Sequence, residues 1–90
     1  MSSAYDKANQ HRLQWACRRG MLELDIVLER YLHRQYADAS AAEQAQFQAL
    51  LLSTDQDLFD WVLEKREAPA EWQALLLKIR TGGRSHVNPE

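Results

Sequence analysis

Apolar residues recur along this chain three and four positions apart, the spacing of a buried helix face, and the breaks between such runs are short. From about Asp6 to Arg18, Leu13, Ala16, Cys17 and Gly20 fall on one stripe, with Arg12, Trp15 and Arg19 beside it. Gly20 is expected to close this helix in a left-handed conformation, with Arg18 and Arg19 at the negative end of its dipole. A second helix is predicted from Met21 or Leu22, with Glu23 and Asp25 in its first turn, where acids are favoured. Its core stripe reads Leu24, Val27, Leu28, Tyr31, Leu32 and Gln35, with Tyr36 at the margin. Ile26 is left on the polar side among Glu29, Arg30 and His33.

Ser40-Ala41-Ala42-Glu43 reads as a capping box, with Ser40 bonding forward and Glu43 reaching back. It opens a third helix whose buried face is Phe47, Leu50 and Leu51. Ser53, Thr54 and Asp55 are all candidate N-caps for a fourth, which carries a broad apolar face of Leu58, Phe59, Trp61 and Val62. Pro69 is expected near the first position of a fifth, which packs through Trp72, Leu75, Leu76 and Ile79 and ends at Gly82-Gly83.

Glycine distribution strengthens this reading. No glycine lies between Gly20 and Gly82, and β-branched residues are few, so the turns and strands of a sheet have nothing to be made from. The expected fold is all-α, a compact five-helix bundle over residues 1–83, with 84–90 as a disordered tail. At 90 residues one domain is expected, large enough for a modest core. The single cysteine forms no internal disulfide, and no apolar run follows a basic N-terminal head, so a cytoplasmic location is expected. No apolar run exceeds four residues, and that of Ala74 to Leu77 stops at Lys78, which predicts no membrane insertion. A net charge of −2 argues against nucleic acid as a partner, because phosphate neutralisation needs a basic excess.

Few residues are arranged for chemistry. His11, His33 and His86 fall on different segments and Cys17 has no second cysteine, so no metal site is expected. Asp55-x-Asp57 begins like a calcium loop but reaches Asp60 where glycine is needed and Arg66 where glutamate is needed. Cys17 lies on a core stripe, where cysteine acts as a small hydrophobe. A glycine-rich phosphate loop is absent, so no independently bound nucleotide is expected, and the chain does not read as an enzyme. Asp57, Asp60 and Glu64 share a ridge of the fourth helix and read as a solvated acidic stripe.

The junction between the first two helices carries more information. Arg12, Trp15, Arg18, Arg19, Gly20, Met21, Glu23 and Asp25 crowd into one helix end, one turn and one helix start. Capping accounts for Gly20, Glu23 and one arginine. The remaining arginines beside an indole match the composition of energetic anchors at protein interfaces.

These residues also resemble a known signature. The string from Trp15 to Asp25, containing Arg19-Gly20-x-x-Glu23, is similar to that of the succinate dehydrogenase assembly factor 2 family of small FAD assembly factors. Tyr36, Phe47, Leu51 and Asp55-x-Asp57-Leu58-Phe59-x-Trp61 look like further family positions, so the resemblance runs from Arg12 to Ile79. It implies a non-catalytic helical protein that binds the flavoprotein subunit of succinate dehydrogenase or fumarate reductase. There it would assist covalent attachment of FAD to a histidine of that subunit. The implied contact residues are Arg19, Gly20 and Glu23, supported by Arg18, Met21, Arg12, Trp15 and Asp25; the chain binds no cofactor of its own and acts as a monomer. Some members carry the label of an antitoxin, a second reading that would require a basic recognition helix. Helix four is acidic and helix five offers only Lys78 and Arg80.

Overall fold

The structure, a computed structural model, describes residues 7–82, with side chains from Gln10 onward. Five α-helices follow in order: α1 (Lys7–Ala16), α2 (Leu22–Arg34), α3 (Ala41–Leu50), α4 (Asp55–Val62) and α5 (Ala70–Thr81). A short 3-10 turn, Tyr36–Asp38, follows α2. Among the described residues there is no strand, so the expected all-α class holds. Asp6, Gly83, His86 and the expected tail 84–90 lie outside the described residues.

Helices α2 and α5 form the centre: α2 packs against α1, α4 and α5, and α5 packs against α2, α3 and α4. The core follows the predicted stripes, burying Leu13 and Cys17 from α1 and its end, Leu24, Leu28, Tyr31 and Leu32 from α2, and Leu75, Leu76 and Ile79 from α5. Phe47 enters from α3 and sits 4.6 Å from the Tyr31 ring and 5.6 Å from that of Tyr36, both tilted. Burying one such aliphatic or aromatic side chain contributes roughly 1.5–3 kcal/mol, so the stripes suffice to hold the helices together. Val27, Phe59 and Trp72 are only partly buried at the edge of this core. Gln35, expected on the core stripe, is half-buried and donates its side-chain amide to the Lys78 carbonyl.

Several helix ends differ from expectation, each for a local reason. Helix α1 stops at Ala16 rather than Arg18, because its last turn tightens: Cys17 N–H is shared between the Leu13 and Gln14 carbonyls and Arg18 N–H turns to Trp15. Gly20 therefore lies in the connection and does not close α1, although it does take a left-handed φ of +83°. Ser40 caps α3 by accepting from Glu43 N–H at 3.0 Å, but Glu43 does not return to Ser40. Its carboxylate bonds Tyr31 and Lys78 instead, so the box is half formed. Of the three candidates for α4, Thr54 is the cap, accepting from Asp57 N–H at 3.1 Å. Pro69 is the N-cap of α5, one position before the helix, and Gly82 closes it with φ +67°.

The acidic ridge of α4 is paired. Asp57 and Asp60 both meet Arg66, at 2.6 and 3.0 Å. Glu64 lies beyond the helix in a left-handed conformation (φ +61°), 3.7 Å from Arg80, so it is not part of the ridge.

Arginines complete the carbonyl ends of helices other than their own. Arg80 donates to the Trp61 and Val62 carbonyls that end α4, and Arg30 to the Ile79 and Arg80 carbonyls near the end of α5. A helix C-terminus leaves carbonyls without intrahelical donors and carries partial negative charge, so a guanidinium satisfies both needs at once.

Candidate functional site

The connection from α1 to α2 is held from both directions. The Asp25 carboxylate, one turn into α2, accepts from Arg19 N–H at 2.8 Å and Gly20 N–H at 3.1 Å. Two successive amides converging on one carboxylate form a small anion nest that ties this connection to the first turn of α2. The Arg19 side chain turns inward and is only 13% exposed. Its guanidinium donates to the Ala16, Leu51 and Ser53 carbonyls at 2.8, 3.0 and 2.6 Å, and to Asp55 Oδ1 at 2.7 Å. It joins the end of α1, the end of α3 and the start of α4.

Outside this knot the chain is open. A Cβ built on Gly20 would meet no atom within 4 Å, so a side chain there would project into solvent. Glu23 is exposed and has no hydrogen-bond or ion-pair partner among the described residues. Trp15 is 72% exposed, with the Arg18 guanidinium 5.6 Å from its ring centre, and Arg18 Nε meets Glu29 of α2 at 3.2 Å. Arg18 thus bridges the Trp15 ring of α1 and Glu29 of α2.

The structure divides the eight residues expected at the junction. Trp15, Arg18, Gly20 and Glu23 are exposed. Arg19 and Asp25 are used within the fold, and Met21 is half-buried against the core. Arg12 faces another way, lining a groove with Leu13, Ala16, Gln48, Ala49 and Leu52 between α1 and α3. Two further residues join the open face. Leu22 (76% exposed) and Ile26 (54% exposed) lie one turn apart on α2. The signal for Leu22 is its position four residues before Ile26, already out of place on the polar side of α2.

Cys17 offers no chemistry at this site. Burial, with the nearby negative charge of Glu29, pushes its thiol from 9.0 to about 12 despite the opposing charge of Arg19. The thiolate needed for nucleophilic attack or metal binding is therefore scarce at neutral pH. Among the described residues no three His, Cys, Asp or Glu side chains converge as metal ligands, and no helix is long and apolar enough to cross a membrane. The cleft between His11, Gln14, Trp15 and Arg18 is about 180 Å³, below the roughly 300–1,000 Å³ of small-molecule and cofactor sites.

Residues 11–82 match the family model described as flavinator of succinate dehydrogenase. The chain is 39% identical over 79 residues to the FAD assembly factor SdhE of Colwellia psychrerythraea, covering 82% of this chain and 87% of that protein. It is 48% identical over 63 residues to the protein of the same name from Aliivibrio fischeri, covering 70% of each. The corresponding Pseudomonas aeruginosa protein is 42% identical over 62 residues, covering 69% of this chain and 74% of that protein. No solved structure gives a significant match. With a family match over most of its length and relatives at this identity, the chain belongs to the family of the flavinator of succinate dehydrogenase, whose bacterial relatives here are FAD assembly factors.

Proposed function

We propose that this chain binds the flavoprotein subunit of succinate dehydrogenase and promotes covalent attachment of FAD to it, with the fumarate reductase flavoprotein as a second client. The carrying observation is the Gly20–Glu23 segment: Gly20, Leu22 and Glu23 are exposed while Met21 packs against the core, the segment is pinned from behind by Arg19 and Asp25, and exposed Trp15 and Ile26 flank it. An exposed indole and aliphatic side chains around the unpaired Glu23 carboxylate suit an interface in which apolar anchors supply affinity and Glu23 supplies a charge-assisted bond. Gly20 permits the partner's backbone to approach closely.

In this reading the chain donates no catalytic group. It binds a conformation of the flavoprotein in which histidine and flavin already face one another, and raises that conformation's population. Holding two reacting groups in register lowers a barrier without supplying any new bond to either. FAD is met in the partner, and the factor acts as a cytoplasmic monomer. The family match and the names of the relatives support flavinylation and lend nothing to the antitoxin reading.

The test is reconstitution of purified flavoprotein subunit with FAD, followed by flavin fluorescence in a denaturing gel. Adding this chain is expected to speed covalent labelling. Glu23→Ala and Gly20→Arg are expected to lower that gain about tenfold, the scale of one interface anchor, with helical content unchanged. Equal labelling with and without the chain would overturn the proposal.

A further inference from the structure

Two motifs far apart in sequence meet in the fold, and their meeting assigns a role to a residue outside the signature. We propose that Asp55 is a positioning residue for the Gly20–Glu23 docking segment, acting through Arg19; this rests on that segment being the flavoprotein contact. Asp55 Oδ1 takes Arg19 Nε at 2.7 Å, across 36 positions of sequence. The other acceptors around that guanidinium are main-chain carbonyls, of Ala16, Leu51 and Ser53. Among the described residues Asp55 is thus the one charged group that accepts from the Arg19 guanidinium, and charge-assisted bonds are the stronger kind.

The consequence lies in how residue 19 is held. Its backbone N–H is fixed by Asp25 and its side chain by Asp55 and the carbonyls, so both ends are tied to different helices. Gly20 follows immediately, and glycine by itself selects no single conformation. With residue 19 tied at both ends and Gly20 N–H on Asp25, the left-handed φ of +83° becomes the one that persists, and Leu22 and Glu23 leave the joint in a single direction. Loosening the Asp55 end lets the segment sample orientations that the partner does not accept, which weakens binding without touching a contact residue.

A purely local role for Asp55 is the alternative to exclude. It stands in the first turn of α4, where an acid is favourable whatever happens at residue 19. A local role moves the melting temperature alone; positioning also moves affinity.

Calorimetric titration of the full chain against the flavoprotein subunit separates the two, well below the melting temperature of every variant. Asp55→Ala is expected to weaken binding about threefold to tenfold, within the range seen for members of one hydrogen-bond network, and Asp55→Glu to restore most of it. The same substitution in a Glu23→Ala background is expected to weaken binding less, because the group it positions is gone. Amide hydrogen exchange at Gly20 should quicken in Asp55→Ala. If Asp55→Ala does not fold, Asp55→Asn, which keeps an acceptor and removes the charge, carries the same comparison. Loss of affinity in Glu23→Ala with none in the Asp55 variants overturns the positioning role and leaves the docking reading standing. Undiminished affinity in both Glu23→Ala and Gly20→Arg overturns the docking reading and this proposal with it.

Discussion

The Tyr31 hydroxyl donates to Glu43 Oε2 at 2.5 Å, while Glu43 Oε1 takes Lys78 Nζ at 2.6 Å, so one carboxylate links α2, α3 and α5. Tyr31 is fully buried and its ring packs on Phe47, so this polar bond lies at the edge of the apolar core. Tyr31→Phe keeps the ring and removes the bond. Its expected cost is roughly 1.5–3 kcal/mol in urea unfolding at neutral pH, the scale of a hydrogen bond to a charged group. An unchanged midpoint would show that water replaces the hydroxyl at no cost.

The same group sets part of the pH dependence. Burial opposes ionisation of Glu43, but bonds from Lys78 and Tyr31 outweigh it and hold the carboxyl below its ordinary 4.5. A carboxyl depressed in the folded state contributes stability above its unfolded value and loses it as pH falls through the folded one. At the other limb, burial and the bond to Glu43 raise Tyr31 above its ordinary 10.0, and burial raises Cys17 from 9.0 to about 12. Groups raised in this way contribute fully below their unfolded values and lose that contribution as pH climbs. Unfolding midpoints measured across pH are therefore expected to plateau between about 4.5 and 9.0 and to fall on both sides. Cys17→Ser is not a clean control, since it buries a hydroxyl; Tyr31→Phe should soften the alkaline limb.

Helix capping yields a separate prediction at the start of α4. Thr54→Ala removes the acceptor of Asp57 N–H and is expected to cost about 1 kcal/mol. Ser40→Ala should cost a similar amount at α3, where Ser40 accepts from Glu43 N–H. Chemical denaturation of both variants checks this, and a Thr54→Ser variant should recover most of the loss.

At Gly20 the cost is conformational alone. A methyl group there meets nothing, yet φ of +83° is unfavourable for any residue with a side chain. Gly20→Ala is expected to lose roughly 1–2 kcal/mol in thermal unfolding while keeping its helical content. A larger loss, or a change in helicity, would mean that the connection rearranges.

Thiol accessibility tests the placement of Cys17. It is completely buried, so alkylation in native buffer is expected to be slow and to accelerate sharply in denaturant. Rapid native labelling would place the thiol at the protein surface.

The α-helical class, the five helices and nearly all of the core were legible in the chain, because period and caps are local properties. Leu24, Leu28, Tyr31, Phe47, Leu76 and Ile79 recur where a buried face requires them, and all are buried. Trp15 stood out as an indole that capping did not explain, whereas Glu23 had a sufficient explanation as a first-turn acid and became a contact candidate through the resemblance of Arg19-Gly20-x-x-Glu23. What the periodicity could not say is which way a charged side chain spends its bonds. Arg19 and Asp55 stand 36 positions apart and each has a sufficient local explanation, a helix C-terminus for one and a helix N-terminus for the other. Glu43 likewise satisfies a capping pattern and is drawn away by Tyr31 and Lys78. The sequence by itself determined the helices and the faces they bury, since hydrophobic burial follows from spacing along one element. Only the tertiary structure decided which of the signature's groups turn inward to join helix ends and which remain outside, because a guanidinium chooses among acceptors that come together only when the helices pack.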